Sequence, residues 1–124
     1  MKDEGGKELR DLRARTKDFA LRVVRLYQAL PKGDGVAQVL GRQLLRSGTS
    51  VAAHYREACR AKSNPDFINK LEGGLQELDE TDLWLELLGD AGTLKSSRIK
   101  LLRAEVDELI SIFVTMIRKI KSRG

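Results

Sequence analysis

Hydrophobic residues recur along this chain at intervals of three and four positions, which is the spacing of one face of an α-helix. Four segments carry this pattern, and turn-forming residues separate them. No segment alternates polar and apolar residues over a length that would favour a β-strand. The pattern therefore predicts four helices, at about 7–30, 35–61, 65–88 and 94–121.

Each predicted helix has one apolar face, and these faces together form the expected core. Their residues are Leu12, Phe19, Val23, Leu26 and Leu30 in the first helix; Val36, Leu40, Leu44, Val51, Tyr55 and Ala58 in the second; Phe67, Leu71, Leu75, Leu78 and Leu85 in the third; and Ile99, Leu102, Val106, Leu109, Phe113, Ile117 and Ile120 in the fourth. Because the connections are short, consecutive helices are expected to lie antiparallel. The fold prediction is an all-α, antiparallel up-down-up-down four-helix bundle that forms a single domain over residues 1–124.

Turn signals indicate where individual helices begin and end. Ser63 or Asn64 is the expected N-cap of the third helix, with Pro65 in its first turn, where a missing N–H costs little. The glycine at the start of residues 89–93 is expected to end that helix, and Thr93 is expected to cap the fourth.

Large apolar side chains on the third helix fall outside its core face. Leu83, Trp84 and Leu87 point roughly opposite to the predicted stripe. Leu101 and Ile112 on the fourth helix are expected to extend the same surface. Exposed apolar groups of this size are typical of protein interfaces, which predicts a homo-oligomer with the three residues of the third helix between subunits. The alternative is that the third helix lies centrally and is covered by its own chain.

Charge is distributed unevenly along the chain. The protein contains 23 lysines and arginines against 18 aspartates and glutamates, a net charge of +5. Residues 63–92 carry eight acidic side chains and one basic one, whereas each of the other three segments is net positive. The third helix is therefore expected to be acidic and the others basic.

One arc of the second helix, opposite its apolar stripe, carries Arg42, Arg46, Arg56 and Arg60. We call this set the arginine ridge; at 1.5 Å per residue it is roughly 27 Å long. Guanidinium groups bind phosphate oxygens in a bidentate fashion, so the ridge predicts an RNA or DNA partner. The alternative is a solvated helix face that serves solubility.

Small residues interrupt the second helix within the ridge. Ser47, Gly48, Thr49 and Ser50 are poor helix formers. Close approach of a neighbouring helix is the favoured explanation, with the hydroxyls bonded back to the preceding turn. Binding of a phosphate by these hydroxyls is the alternative, although the sequence contains no phosphate-binding loop motif.

Few residues are suited to catalysis or metal binding. His54 is the only histidine, so Ser/His/Asp schemes and the paired Glu-x-x-His sites of helix bundles are not supported. Glu77, Glu80 and Asp82 offer carboxylates, which are common on helix surfaces. We expect no enzyme activity, no metal and no cofactor; an enzyme using Glu77 or Glu80 is the remaining catalytic hypothesis.

The chain lacks the sequence features of secreted and membrane proteins. Cys59 is the only cysteine, which excludes an intramolecular disulfide. No apolar run approaches the ~20 residues of a membrane span, and the N-terminal segment has no apolar stretch like that of a signal peptide. A cytoplasmic protein with no membrane partner is expected.

Two ordered motifs resemble those of the four-helix-bundle family associated with 23S ribosomal RNA intervening sequences. The first is RQLLRSGTSVAA at residues 42–53, followed by Glu57-Ala58; the second is DFINKL at residues 66–71, followed by Glu77, Glu80-Thr81 and Trp84-Leu85. The similarity covers about residues 17–120, and His54-Tyr55-Arg56 departs from the more aliphatic or Asn-containing pattern of the family. The resemblance implies a bundle that assembles as a ring, commonly a homopentamer, with no established catalytic residues.

A more distant resemblance, in size, fold and basic charge, is to the accessory variability determinants of diversity-generating retroelements. Those are basic pentameric bundles that bind a reverse transcriptase and its template RNA. Two hypotheses follow for this chain. It is a non-enzymatic oligomeric bundle that binds RNA or another nucleic acid, or it is a protein-interaction scaffold such as a reverse-transcriptase accessory subunit.

Overall fold

The protein consists of four α-helices in a computed structural model that describes the backbone of residues 2–123 and the side chains of residues 11–123. The helices are α1 (Lys2–Ala29), α2 (Gly35–Cys59), α3 (Asn64–Asp90) and α4 (Ser96–Arg123), and residues 2–123 contain no strand. The prediction of an all-α protein with four helices is confirmed. The predicted start of α2 agrees with the structure, and the other bounds differ by one to five residues, the largest difference being the start of α1.

Polar side chains begin the second and third helices. Asp34 is the N-cap of α2 and accepts a hydrogen bond from the backbone N–H of Ala37 at 3.1 Å. Ser63 is the N-cap of α3 and accepts from the N–H of Asp66 at 3.2 Å. Of the two predicted caps for α3, Ser63 is therefore the one used. Each such cap typically stabilises a helix by about 1 kcal/mol.

The connection between α3 and α4 differs from the prediction. Gly89 does not end α3, because the helix continues through Asp90. The chain reverses at Gly92, whose φ of +73° lies in the left-handed region that glycine adopts without strain. Thr93 does not cap α4; its hydroxyl donates to the carbonyl of Leu88 at 2.9 Å and so completes the end of α3.

The core is one continuous cluster to which all four helices contribute. Of the predicted core residues, those of α1 are all buried, and Tyr55 and Phe113 stack at the centre with ring centroids 5.9 Å apart. The prediction is wrong at Val36, which is 61% exposed. Ala37 is buried instead, because it lies two turns before Leu44 on the same line of the helix.

Two glycines allow the helices to approach closely. A Cβ atom at Gly48 of α2 would lie 2.8 Å from a methyl group of Val23 in α1. A Cβ atom at Gly74 of α3 would lie 2.8 Å from the ring of Phe113 in α4. The helices pack in the order α1 on α2, α2 on α3 and α3 on α4, and the contact between α4 and α1 is the least extensive.

Candidate nucleic-acid interface

All four residues of the arginine ridge are exposed: Arg42, Arg46 and Arg56 lie on α2, and Arg60 directly follows it. The buried side of the same helix carries Leu44, so the ridge faces away from the core. The helix continues without interruption from Gly35 to Cys59, which keeps the first three guanidinium groups on one rigid element. Arg60 is the C-cap residue, and its backbone N–H donates to the carbonyls of the last turn.

Arg46 differs from the other ridge residues because α3 already provides it with two carboxylates. Its Nη2 donates to Oε1 of Glu80 at 3.1 Å, and its Nη1 lies 3.6 Å from Oε2 of Glu77. The side chain of Glu77 is only 12% exposed, and its Oε2 has no hydrogen-bond partner among the described residues. Arg46 thus balances a largely buried charge, and a phosphate would compete with these two carboxylates for it.

Arg42, Arg56 and Arg60 make no ion pair with any residue in the range 11–123. Their guanidinium groups therefore remain available to an external anion. An exposed ion pair contributes only about 0–1 kcal/mol, so unpaired surface arginines do not by themselves indicate a binding site. They differ from scattered surface charge because they share one face over roughly 27 Å.

The small residues of α2 serve packing. Ser47 and Thr81 are fully buried, and their hydroxyl oxygens lie 2.8 Å apart between α2 and α3. Thr49 and Ser50 donate to the carbonyls of Leu45 and Arg46, each at 2.7 Å. The interpretation of this stretch as a close helix contact is confirmed, because Gly48 lies against Val23 and all three hydroxyls have partners within the chain.

A second surface combines exposed apolar side chains of α2 and α3. Leu83 and Leu87 are 46% and 38% exposed, and Trp84 is half-buried against the core. The indole Nε1 of Trp84 is buried and has no hydrogen-bond partner among the described residues. Two further members are Val36, which the sequence pattern placed in the core, and Val39; both are exposed in the first turns of α2.

The position of Val39 follows from the contact between Arg46 and the carboxylates of α3. Seven residues make about two helical turns, so Val39 occupies the same rotational position as Arg46. The same spacing of seven residues separates Glu77 from Trp84 and Glu80 from Leu87 on α3, so each pair shares one rotational position. Val39 is therefore on the side of α2 from which Arg46 reaches the carboxylates of α3. We call Val36, Val39, Leu83, Trp84 and Leu87 the apolar surface.

The prediction that Leu101 and Ile112 extend this surface is wrong. On α4, Leu101 lies one turn before Glu105, and Ile112 lies one turn after Glu108. All four residues therefore share one face of the helix. That face is directed at α1, because Arg15 binds both of these carboxylates.

Ion pairs on either side of α4 define its orientation between α1 and α3. On the side facing α1, Nε and Nη2 of Arg15 donate to the two carboxylate oxygens of Glu105, both at 2.8 Å. These hydrogen bonds raise the pKa of Arg15 and lower the pKa of Glu105. On the side facing α3, Arg103 donates to both oxygens of Asp82 at 2.9 and 3.2 Å, which raises the pKa of Arg103.

The remaining acidic residues of α3 face outward. Glu72, Asp79, Glu86 and Asp90 are exposed and form no ion pair with any residue in the range 11–123. We call these four residues the acidic arc. The outer side of α3 is therefore negative and partly apolar, whereas the outer side of α2 is positive.

The described residues contain neither a cluster of metal ligands nor a membrane-spanning helix. No three His, Cys, Asp or Glu residues there are grouped in a way that could hold a metal ion. None of the described helices is both long enough and apolar enough to cross a membrane. His54 packs its imidazole against Gly73 of α3, and Cys59 is exposed at the end of α2.

Comparison with known proteins identifies the family. Residues 10–115 match the family model described as 23S rRNA-intervening sequence protein. A solved structure from Bacteroides thetaiotaomicron VPI-5482, described as a protein with unknown function from the S23 ribosomal protein family, is 34% identical and superposes with a TM-score of 0.82. The alignment covers 89% of this chain and 97% of that one. No curated protein matches the sequence. The chain therefore belongs to the family of 23S rRNA-intervening sequence proteins.

Proposed function

We propose that this protein is a non-enzymatic, cytoplasmic, homo-oligomeric bundle that binds RNA or another nucleic acid through the arginine ridge. The observation that carries the proposal is the row of exposed arginines Arg42, Arg56 and Arg60, which have no carboxylate partner among the described residues. Arg46 contributes less, because Glu77 and Glu80 already neutralise it.

The proposed topology is an antiparallel up-down-up-down bundle. Pairs of contacts between consecutive helices support it, since a later residue of one helix meets an earlier residue of the next. On α2 and α3, Arg46 meets Glu80, whereas His54 meets Gly73. On α3 and α4, a similar pair of contacts joins Gly74 to Phe113 and Gly89 to Ile99; on α1 and α2, Val23 meets Gly48 and Leu30 meets Gly41.

The proposed assembly is a ring, a homopentamer in the form that the family resemblance implies. The apolar surface, with Leu83, Trp84 and Leu87 buried between subunits, supplies the interface. Burying exposed leucine and tryptophan side chains is favourable by about 25 cal/mol per Å² of apolar area. Five copies, each with a net charge of +5, would carry about +25 and would bring five arginine ridges into one electrostatic field.

Nucleic-acid binding is tested by the salt dependence of affinity in two matched variants. In the first variant, Arg42, Arg56 and Arg60 are each replaced by Gln; in the control, three exposed cations near the start of α4 are replaced in the same way. The control residues are Lys95, Arg98 and Lys100. Both variants lose the same charge, so a difference between them reports position rather than net charge.

The expected result is a loss of affinity for RNA that is confined to the ridge variant. Counterion release gives a slope of log K against log salt of about −0.7 to −0.9 per phosphate contact, so losing three contacts flattens the slope by roughly two. Equal losses in the two variants, or an affinity of the unmodified protein that does not change with salt, would refute the proposal.

A second candidate is a protein-interaction scaffold, for example a reverse-transcriptase accessory subunit of the kind found in diversity-generating retroelements. The acidic arc favours it, because Glu72, Asp79, Glu86 and Asp90 repel phosphates but suit a basic protein segment. The test is binding of a purified reverse transcriptase from a diversity-generating retroelement, after nuclease treatment. Binding that persists and is lost when the four acids become Gln or Asn supports the scaffold; binding that disappears with the nuclease favours RNA.

A further inference from the structure

A cleft at the turn between α1 and α2 is not part of the arginine ridge but lies next to it. Its volume is about 580 Å³, within the range of about 300–1,000 Å³ of small-molecule sites. It is lined by Tyr27, Gln28, Leu30, Lys32 and Gln38. The lining thus combines an aromatic ring, an aliphatic side chain, two carboxamides and an ammonium group.

The aromatic wall of the cleft is held in place from two directions. On one side Tyr27 packs against α2 at Gly41, where a Cβ atom would lie 2.9 Å from its Cδ1 and 3.2 Å from its Cε1. At its tip the Tyr27 hydroxyl donates to Oε1 of Gln38 at 3.5 Å, and Nε2 of Gln38 donates to the carbonyl of Pro31 at 3.0 Å. The ring is therefore preorganised, and a ligand that stacks on it needs to order little.

One carboxamide of the cleft is free to pair with the edge of a nucleobase. Gln28 is exposed and has no hydrogen-bond partner among the described residues, whereas Gln38 is already bonded to Tyr27 and Pro31. Carboxamides offer a donor and an acceptor side by side, which is the pattern that nucleobase edges present. Lys32 is exposed at the same turn and supplies a cation for a neighbouring phosphate. The nearest carboxylate in sequence, Asp34, is already engaged in capping α2 through the N–H of Ala37.

The cleft lies about one helical turn from the nearest residue of the arginine ridge. Gln38 precedes Arg42 by four residues on α2, one helical turn or about 6 Å along the axis. If the phosphates of a strand lie along the ridge toward the start of α2, the next base of that strand lies at the cleft. Stacking on an aromatic side chain is how proteins recognise bases that are not paired.

The geometry points to a base-binding site at Tyr27, Gln28 and Lys32 that takes an unpaired nucleobase of a single-stranded segment. This inference rests on the proposed function, because the ridge must hold the phosphates of the same strand. It adds a preference that the ridge alone does not have. A double helix has no unstacked base to offer, so the protein should discriminate single strands from blunt duplexes.

The experiment compares fluorescein-labelled decauridylate with a blunt RNA duplex of the same length, by fluorescence anisotropy. Tyr27→Leu removes the stacking wall, and Tyr27→Phe is the matched control that keeps the ring and loses only the hydroxyl. We expect Tyr27→Leu to weaken binding of the single strand about ten-fold, since one stacked base contributes roughly that much or more. Binding of the duplex should change less than two-fold, and Tyr27→Phe should behave like the unmodified protein.

A photocrosslink tests the same site without a change in the fold. Decauridylate carrying 4-thiouridine, irradiated on the unmodified protein, should modify the peptide that contains Tyr27 or the one that contains Gln38. Free uridine monophosphate in excess distinguishes a nucleotide site from a strand site; it should not displace the oligonucleotide, because it lacks the phosphates that the ridge holds.

Each outcome bears on the inference. If both RNAs bind with a steep salt dependence but Tyr27→Leu has no effect and crosslinks fall elsewhere, the base-binding site is refuted while the ridge stands. If neither RNA binds, the proposed function fails and the base-binding site fails with it. If uridine monophosphate displaces the oligonucleotide, the cleft is a mononucleotide site and the preference for strands is refuted.

Discussion

Gly48 is the position where a single methyl group should change the packing of α2 most clearly. A Cβ atom there would meet three atoms of Val23, at 2.8, 2.9 and 3.2 Å. Val23 is fully buried, and a β-branched side chain has little freedom to rotate away. Gly48→Ala therefore has two opposing effects on the free energy of unfolding. Higher helix propensity raises it by ~1 kcal/mol, and overpacking lowers it by ~1–3 kcal/mol.

The expected balance for Gly48→Ala is a net loss of about 1 kcal/mol in the free energy of unfolding, or roughly 4 °C in Tm. The overpacking term dominates because all three contacts involve a stiff, buried side chain rather than the end of a flexible one. Gly35→Ala is the control, since a Cβ atom there meets nothing within 4 Å. It should leave Tm unchanged or raise it.

The assay is thermal and urea unfolding at one fixed protein concentration, because the proposed self-association would make Tm depend on concentration. A double-mutant cycle then tests the cause. Val23→Ala alone leaves a cavity and costs ~2 kcal/mol, but combined with Gly48→Ala the new methyl group fills part of it. The double variant should be more stable than the sum of the two effects by about 1 kcal/mol. Additive effects, or a Gly48→Ala protein more stable than the unmodified one, would refute the reasoning.

Three further predictions concern assembly, pH and charge. Leu87→Glu should reduce the mass measured by light scattering from several times 13.9 kDa toward a single chain, whereas Leu101→Glu, outside the apolar surface, should not. The guanidinium of Arg15 lowers the pKa of Glu105, so the stability that this pair contributes above about pH 4.5 should be lost as the pH drops through that lowered pKa. Glu105→Gln should make the free energy of unfolding depend less on pH in this range. Arg46→Ala should cost ~1 kcal/mol by leaving a largely buried carboxylate without its cation, and Arg42→Ala less than ~0.5 kcal/mol.

The separation of charge between α2 and α3 bears on the proposed binding of RNA. The outer side of α2 attracts phosphates, and the acidic arc of α3 repels them. A strand that approaches the protein is therefore expected to bind along one side only. Ring assembly through the apolar surface would give every subunit the same polarity.

Much of the architecture is determined by local sequence pattern. The helical periodicity identifies four helices. It also identifies their buried faces, because the apolar stripe of an amphipathic helix is removed from water only when it packs against the core. The polar residues before Pro65 predict a cap at Ser63 or Asn64, and the structure uses Ser63. The exposure of the arginine ridge follows in the same way, since it lies opposite Leu44.

Other features depend on which helix lies beside which, and only the tertiary structure decides them. Val36 lies close enough to the apolar stripe to look buried, yet Ala37 is the residue that meets the core. Arg46 is one of four similar arginines in the sequence, but α3 brings carboxylates to it alone. Val39 becomes part of an apolar surface only because Arg46, on the same side of α2, reaches α3. Periodicity specifies the direction of a side chain relative to its own helix, whereas the partner it meets depends on the register between helices, which distant residues determine together.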